Sequence, residues 1–254
     1  MAITIKSERE IELMAEAGKI LERVHNELEK ALRPGMSTKD IDTLGEEIIR
    51  SYGCIPSFLN YNGYPASICV SVNQEVVHGI PDKHRTIQEG DIVSLDAGVI
   101  YKGYHSDAAR THAVGEVSEE AKKLIRVTKE SFFEGIKFAK AGNHLFDISG
   151  AIGRYAEERG YGVVRDLCGH GIGTALHEAP EIPNYEVGRK GVRLRPGMTL
   201  AIEPMINIGT HEVDWLDDDW TVVTRDGSLS AHYENTILIT EGEPRILSLT
   251  CENE

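Results

Sequence analysis

Asp96 and Asp107 lie in the segment DIVSLDAGVIYKGYHSDAARTHAVG. Val93, Leu95, Ala97 and Val99 alternate there with Ser94, Asp96, Gly98 and Ile100, the period-two pattern of a strand with one apolar face. Lys102-Gly103 suits a two-residue turn. That turn pairs Tyr101 with Tyr104 and Gly98 with Asp107. Asp96 shares the face of Gly98, so the two aspartates become diagonal neighbours, about 7–8 Å apart at the backbone. Gly98 then leaves space above the strand. Carboxylates this close repel unless a shared proton or a metal ion intervenes. The bland alternative is a pair of exposed loop aspartates.

Two further acids stand in unexpected company. Glu203 in GMTLAIEPMI and Glu234 in AHYENTILIT each interrupt a strand-like apolar run. A lone buried carboxylate is costly, so each calls for a partner. His170 lies between Gly169 and Gly171 in RDLCGHGIGTALHE. Flanking glycines permit close backbone approach and unusual dihedrals, which suits a loop that delivers a side chain to a site. A lone histidine is more often structural, but one in a chain with four buried-looking acids is a candidate ligand.

The elements that must position these residues follow from periodicity. Helical patterns run over 8–31, 40–52, 119–138 and 145–159, the first ending at Arg33-Pro34-Gly35 and the second at Gly53. Strand-like runs cover 67–72, 92–101, 104–114, 199–208, 220–224, 233–239 and 245–249. Two helices followed by strands occur twice. A shift of about 107 residues carries Gly35 onto Gly142, Asp40 onto Asp147, Gly90 onto Gly197 and Asp96 onto Glu203. The expectation is one α+β catalytic domain over 1–254, built as two related halves (roughly 8–115 and 116–250) with the site between them. If Glu234 answers to Asp107 in this repeat, the second half carries an insertion near NIGTHEVDWLDDDW.

Composition narrows the class. The chain has 254 residues, 41% of them apolar, enough for a full core. No apolar run approaches the roughly 18 residues of a membrane span. The start, MAITIKSEREIELM, lacks a signal pattern, and Cys54, Cys69, Cys168 and Cys251 form no CxxC pair. A cytoplasmic protein with free thiols is expected. The net charge of −14 disfavours broad or sequence-specific nucleic-acid binding. The basic groups Lys122, Lys123, Arg126, Lys129 and Arg189, Lys190, Arg193, Arg195 read as solvated surface.

Taken together, CVSVNQEVVHGIP, VSLDAGVIYKGYHSDAARTHAVG, CGHGIGTALHEAPEIPNY, RPGMTLAIEPM and HYENTILIT make the chain resemble the type I methionine aminopeptidases in their compact bacterial form. The likeness runs in order along essentially the whole chain. It implies the α+β pita-bread fold of two pseudo-symmetric halves around a dimetal site. It also implies five metal ligands, Asp96, Asp107, His170, Glu203 and Glu234, with Asp107 and Glu234 bridging two divalent cations. His78 and His177 would face the substrate, and Phe58, Tyr61, Tyr64, Cys69, Leu176 and Trp220 would surround the methionine side chain. Trp220 beside the acids of WLDDDW is hard to explain as plain core.

Four carboxylates and an imidazole suit Mn(II), Fe(II), Co(II) or Zn(II). Two such ions about 3.5–4 Å apart can share a water and lower its pKa, so that a hydroxide attacks the peptide carbonyl. One ion would also take the free α-amine. His177 is the expected oxyanion donor, His78 the partner of the scissile amide, and Glu203 the proton carrier. The implied substrate is the deformylated N-terminal methionine of a new polypeptide followed by a small, uncharged residue, with the enzyme a monomer and a transient ribosome contact left open. Three rival readings remain: a prolidase or X-Pro aminopeptidase of the same fold, a non-catalytic binding protein on it, and a two-metal phosphoesterase. The first usually carries a further domain, the second predicts lost ligands, and the third wants a basic pocket.

Overall fold

The computed structural model describes residues 3–249, so Cys251 lies outside the described residues. Helix α1 spans Glu8–Ala31 and opens on a reciprocal cap, in which Ser7 accepts from the Glu10 amide and Glu10 accepts from Ser7. Its buried face, Met14, Ala17, Leu21, Val24 and Leu28, repeats every three or four residues. Helix α2 is Thr38–Ser51, which begins two residues before the expected start because Ser37 is the cap, with Asp40 closing the box. Helix α3 (Glu119–Ile136) and helix α4 (Leu145–Glu157) each stop two residues short of the sequence expectation.

The first hairpin forms in the register that the turn dictates. Strands Ile92–Tyr101 and Tyr104–Ala113 pair Tyr101 with Tyr104, Gly98 with Asp107 and Asp96 with Ala109. Lys102 and Gly103 both have positive φ, 49° and 86°, the two-residue geometry whose twist matches the strands. Strand Ile68–Val72 flanks the hairpin and sets Cys69 directly across from Asp96. Helices α1 and α2 cover this sheet with Leu21, Leu28, Ile41 and Ile49, which pack with Ile68, Leu95 and Val99.

The second half departs from expectation at its acids. The run 199–208 is two strands, Thr199–Ile202 and Met205–Asn207, and the run 233–239 shortens to Asn235–Leu238, preceded by Ser230–His232. The ladders on both sides keep one register, Ile202 with Asn235 and Met205 with His232. Glu203 therefore stands opposite Glu234 across the gap. Pro204 has no amide to donate, and the strands change sheets here. Glu203 and Glu234 are thus at strand breaks and not inside strands. With Asp96 laid on Glu203, Glu234 takes the register of Ala109 and not that of Asp107. Helices α3 and α4 back this half through Phe132, Leu145, Ile148 and Ile152, against Leu200, Ile202 and Ile237.

Gly98 also corrects the sequence reading. The space above it is taken by residues 57–58, since a Cβ there would lie 2.7 Å from Ser57 Cβ and 3.0 Å from Phe58 Cε1. The missing side chain admits a neighbouring loop, which brings Phe58 to the site. The short strands Glu75–Val77, Gly169–Gly171, Glu178–Ile182 and Val213–Trp215 gave no periodic signal because three to five residues are too few to display one.

Candidate active site

The two hairpins are stitched edge to edge. The Ala109 and Glu234 backbones exchange both hydrogen bonds, at 3.4 and 3.0 Å. Thr236 Oγ1 accepts from the Asp107 amide and donates to the Asp107 carbonyl, each at 2.9 Å. Arg110 spans the same seam, donating to the Glu234 carbonyl and, at 2.6 Å, to Asn235 Oδ1. Asp107 and Glu234 are consequently neighbours, although 127 positions of sequence number separate them. Neither hairpin could place them together alone.

His170 completes a tight cluster with them. One ligand atom each of Asp107, His170 and Glu234 falls within 4.8 Å of the others, and all three residues are buried. His170 Nε2 is 3.9 Å from Asp107 Oδ2 and 3.6 Å from Glu203 Oε1. Its Nδ1 lies 2.9 Å from the Gly171 carbonyl, to which only an N–H can donate, so the Nε2 lone pair faces the acids. Asp96 and Glu203 line the same cavity. The four acids and one imidazole named as ligands from the sequence are therefore brought to one place.

Burial makes this cluster untenable as a set of free anions. It pushes the Asp96 carboxyl up to about 7. Asp107 and Glu234 are raised well above the carboxylate range, first by burial and then by one another's neighbours, and Glu203 by burial and Asp96. Burial with the adjacent His177 pushes His170 down to about 3, which keeps its lone pair free. Asp96 Oδ1, Asp107 Oδ1 and Glu234 Oε1 are buried without any hydrogen-bond partner. Orphaned carboxylate oxygens facing a neutral imidazole fit divalent cations, and oxygen-rich donors with one nitrogen suit first-row metals.

A cavity of about 380 Å³ opens beside the cluster. Phe58, Tyr61, Tyr64, Cys69, Leu176 and Trp220, the expected side-chain pocket, all line it, as do His78 and His177. Tyr64 donates to the Gly79 carbonyl at 2.9 Å and meets Trp220 edge-on, with ring centroids 5.1 Å apart. The acids beside Trp220 now have an explanation: Asp218 accepts from the amides of Trp220 and Thr221 and from the Thr221 hydroxyl, which fixes the turn that presents the indole. Burial, then Asp96, holds the Cys69 thiol well above its ordinary range, so it is a neutral wall and not a nucleophile.

The two remaining histidines occupy distinct places. His78 has φ 60°, a conformation that non-glycine residues rarely adopt, and burial pushes its imidazole down to about 4. His177 Nδ1 lies 2.8 Å from the Tyr61 hydroxyl, and its ring stands over His170 with centroids 4.1 Å apart. Two residues escaped the sequence reading. Asn62 lines the cavity with φ 49°, and the Asn-Gly pair in NYNGY was the available turn signal. His232 is buried with Nε2 3.8 Å from Glu203 Oε2, and it carried no local signal.

The sequence profile of metallopeptidase family M24 matches residues 12–241. A methionine aminopeptidase of Clostridium acetobutylicum is 58% identical over 98% of this chain and 100% of its own. The solved structure of a methionine aminopeptidase from Thermotoga maritima superposes with a TM-score of 0.96 at 48% identity, over 98% of this chain and 100% of that one. An Xaa-Pro dipeptidase from Bacillus anthracis shares the pita-bread fold at a TM-score of 0.77 and 27% identity, over 98% of this chain and 63% of that one.

Proposed function

The chain belongs to metallopeptidase family M24, and from this we propose that its site hydrolyses the bond after an N-terminal methionine. It is a methionine aminopeptidase, a hydrolase that acts on the amino end of polypeptides. The observation that supports this reading is the convergence of four carboxylates and one imidazole at one end of a cavity whose opposite wall is the apolar and aromatic set Phe58, Tyr64, Cys69, Leu176 and Trp220. The prolidase reading is not favoured, since its relative here is the more distant. The presence of all five candidate ligands in one cavity speaks against a non-catalytic scaffold, and the acidic, apolar lining against a phosphoesterase.

In this reading Asp96, Asp107, His170, Glu203 and Glu234 would hold two divalent cations, with Asp107 and Glu234, neighbours at the seam, as the carboxylates shared by both. Such ions, when bound, would supply Lewis acidity toward the attacking water and the scissile carbonyl. Phe58, Tyr61, Tyr64, Cys69, Leu176 and Trp220 strip water from the methionine side chain and fix its depth. His177 Nδ1 lies 2.8 Å from the Tyr61 hydroxyl, and in this reading the hydroxyl donates, so that Nε2 carries the N–H for the developing oxyanion. His78, neutral by burial, donates to or accepts from the scissile amide as the amine departs. Glu203 holds the proton in transit. His78 at its strained φ narrows the passage to the pocket, so a small second residue passes and a large one clashes.

The chain is read as one domain with related halves over about 8–115 and 116–250, which the two hairpins meeting at one site support. Among the described residues no helix is long and apolar enough to cross a membrane. A cytoplasmic monomer acting on deformylated nascent chains, with transient ribosome contact, is the setting we infer. The test compares kcat/KM for Met-Ala-Ser, Met-Lys-Ser and formyl-Met-Ala-Ser, with Mn(II), Fe(II), Co(II) or Zn(II) restored singly to metal-free protein. Only Met-Ala-Ser should be a good substrate. Similar values for the three would defeat the proposed narrow passage and free-amine requirement.

A further inference from the structure

Outside the catalytic cluster, a buried lysine stands in a position that neither packing nor the proposed chemistry demands. Lys6 lies in the extended segment before α1, and its side chain is only 4% exposed. Its Nζ donates to Glu178 Oε2 at 2.6 Å, and the Thr4 hydroxyl donates to the same oxygen at 2.6 Å. The other oxygen, Glu178 Oε1, accepts from the Ala175 amide at 3.3 Å. Glu178 thus ties one end of the loop between strands Gly169–Gly171 and Glu178–Ile182 back to its middle. That loop carries Leu176 and His177.

The segment is itself anchored. The Lys6 amide donates to the Gly197 carbonyl at 2.7 Å, and a Cβ on Gly197 would meet Ile5 and Lys6. Gly173 is equally close, since a Cβ there would lie 2.4 Å from Lys6 Cε and 2.5 Å from Glu178 Oε1. On the loop's other flank, the His105 amide donates to the Gly173 carbonyl at 2.8 Å. Replacing a buried ion pair by apolar residues is often neutral for stability, so its use here points to geometry.

We propose that Lys6, acting through Glu178, is the positioning residue that holds His177 at the reacting carbonyl. This rests on the reading of His177 as the oxyanion donor. Lys6 touches neither substrate nor cavity. It fixes the carboxylate that follows His177 directly in the chain, while Tyr61 fixes the imidazole ring. A loop released at Glu178 would keep its fold but let His177 wander by fractions of an ångström, which weakens a directed hydrogen bond steeply.

The experiment is a double-mutant cycle on the metal-loaded enzyme, with Lys6→Met, His177→Ala and both together, measuring kcat and KM on Met-Ala-Ser. Lys6→Met should lower kcat by about tenfold and shift KM by less than about threefold, as expected for an interaction felt mainly in the transition state. In the His177→Ala background the same change should cost less than about twofold, because coupled residues are not additive. Additive losses would overturn the inference and leave the His177 reading intact. No loss from His177→Ala alone would instead overturn that reading. If Lys6→Met does not fold, Lys6→Met with Glu178→Gln, which removes both charges, takes its place in the cycle. An unchanged kcat in either variant also overturns the inference.

Discussion

The Nδ1 of His177 lies 2.8 Å from the hydroxyl of Tyr61, and the two rings are tilted by 31° with centroids 5.2 Å apart. The hydroxyl orients the imidazole from outside the carboxylate cluster. Tyr61→Phe keeps the ring and removes that bond. We expect kcat to fall about tenfold, equivalent to about 1.4 kcal/mol, with little change in KM because the pocket wall is retained. Steady-state kinetics on Met-Ala-Ser check this, and a wild-type kcat in Tyr61→Phe would remove Tyr61 from the mechanism.

His177→Ala should lower kcat by about 10²–10³, the loss expected for one oxyanion donor. Its metal content, measured by atomic emission after dialysis, should match the parent. Metal loss in this variant would make His177 a ligand and reassign its role.

Asp107→Ala removes the carboxylate at the seam between the hairpins. Activity should vanish even at saturating metal, and calorimetric titration should show sharply weakened binding of divalent ions. Near-normal activity in the metal-replete assay would dismiss the bridging assignment.

The metal-free protein should have an unusual pH profile. Asp96 is raised from its unfolded value near 3.8 to about 7, and Asp107, Glu203 and Glu234 move the same way. A raised carboxyl pKa contributes stability at low pH that is lost as pH climbs through the folded value. The buried His170, His78 and His232, held down to about 3, 4 and 3, act oppositely, losing stability as pH falls below about 6.5. Above pH about 6.5 only the carboxyls remain. The Tm of metal-free protein should therefore fall between pH 6.5 and 8.5, while metal-loaded protein should hold nearly constant. Parallel curves in calorimetry for the two forms would contradict the buried-acid account.

Much of the site was legible in the chain because local rules decide it. A two-residue turn at Lys102-Gly103 sets the pairing of ten residues on each side, so the diagonal of Asp96 and Asp107 follows from counting. Ser7 and Ser37 start their helices by capping, again locally. The acids of the second half were visible as polar residues in apolar runs, but not the strand breaks that hold them, since Pro204 alone does not reveal a change of sheet. Gly98 reads in the sequence as open space above the strand, but a neighbouring segment fills that space. That segment is the one at Ser57 and Phe58, reached through another turn of chain.

What the sequence by itself determined was the set of candidate donors, the hairpin register and the family, because residue type and short-range geometry suffice for these. The tertiary structure alone decided which donors meet. Asp107 and Glu234 are joined by Thr236 and Arg110 across a seam between hairpins, and the His177 ring meets the Tyr61 hydroxyl, 116 positions away in sequence. Such contacts depend on how two separately formed sheets dock. The energy for docking comes from the buried faces of four helices and their sheets, and not from the catalytic residues, whose burial opposes folding until a cation or a partner compensates.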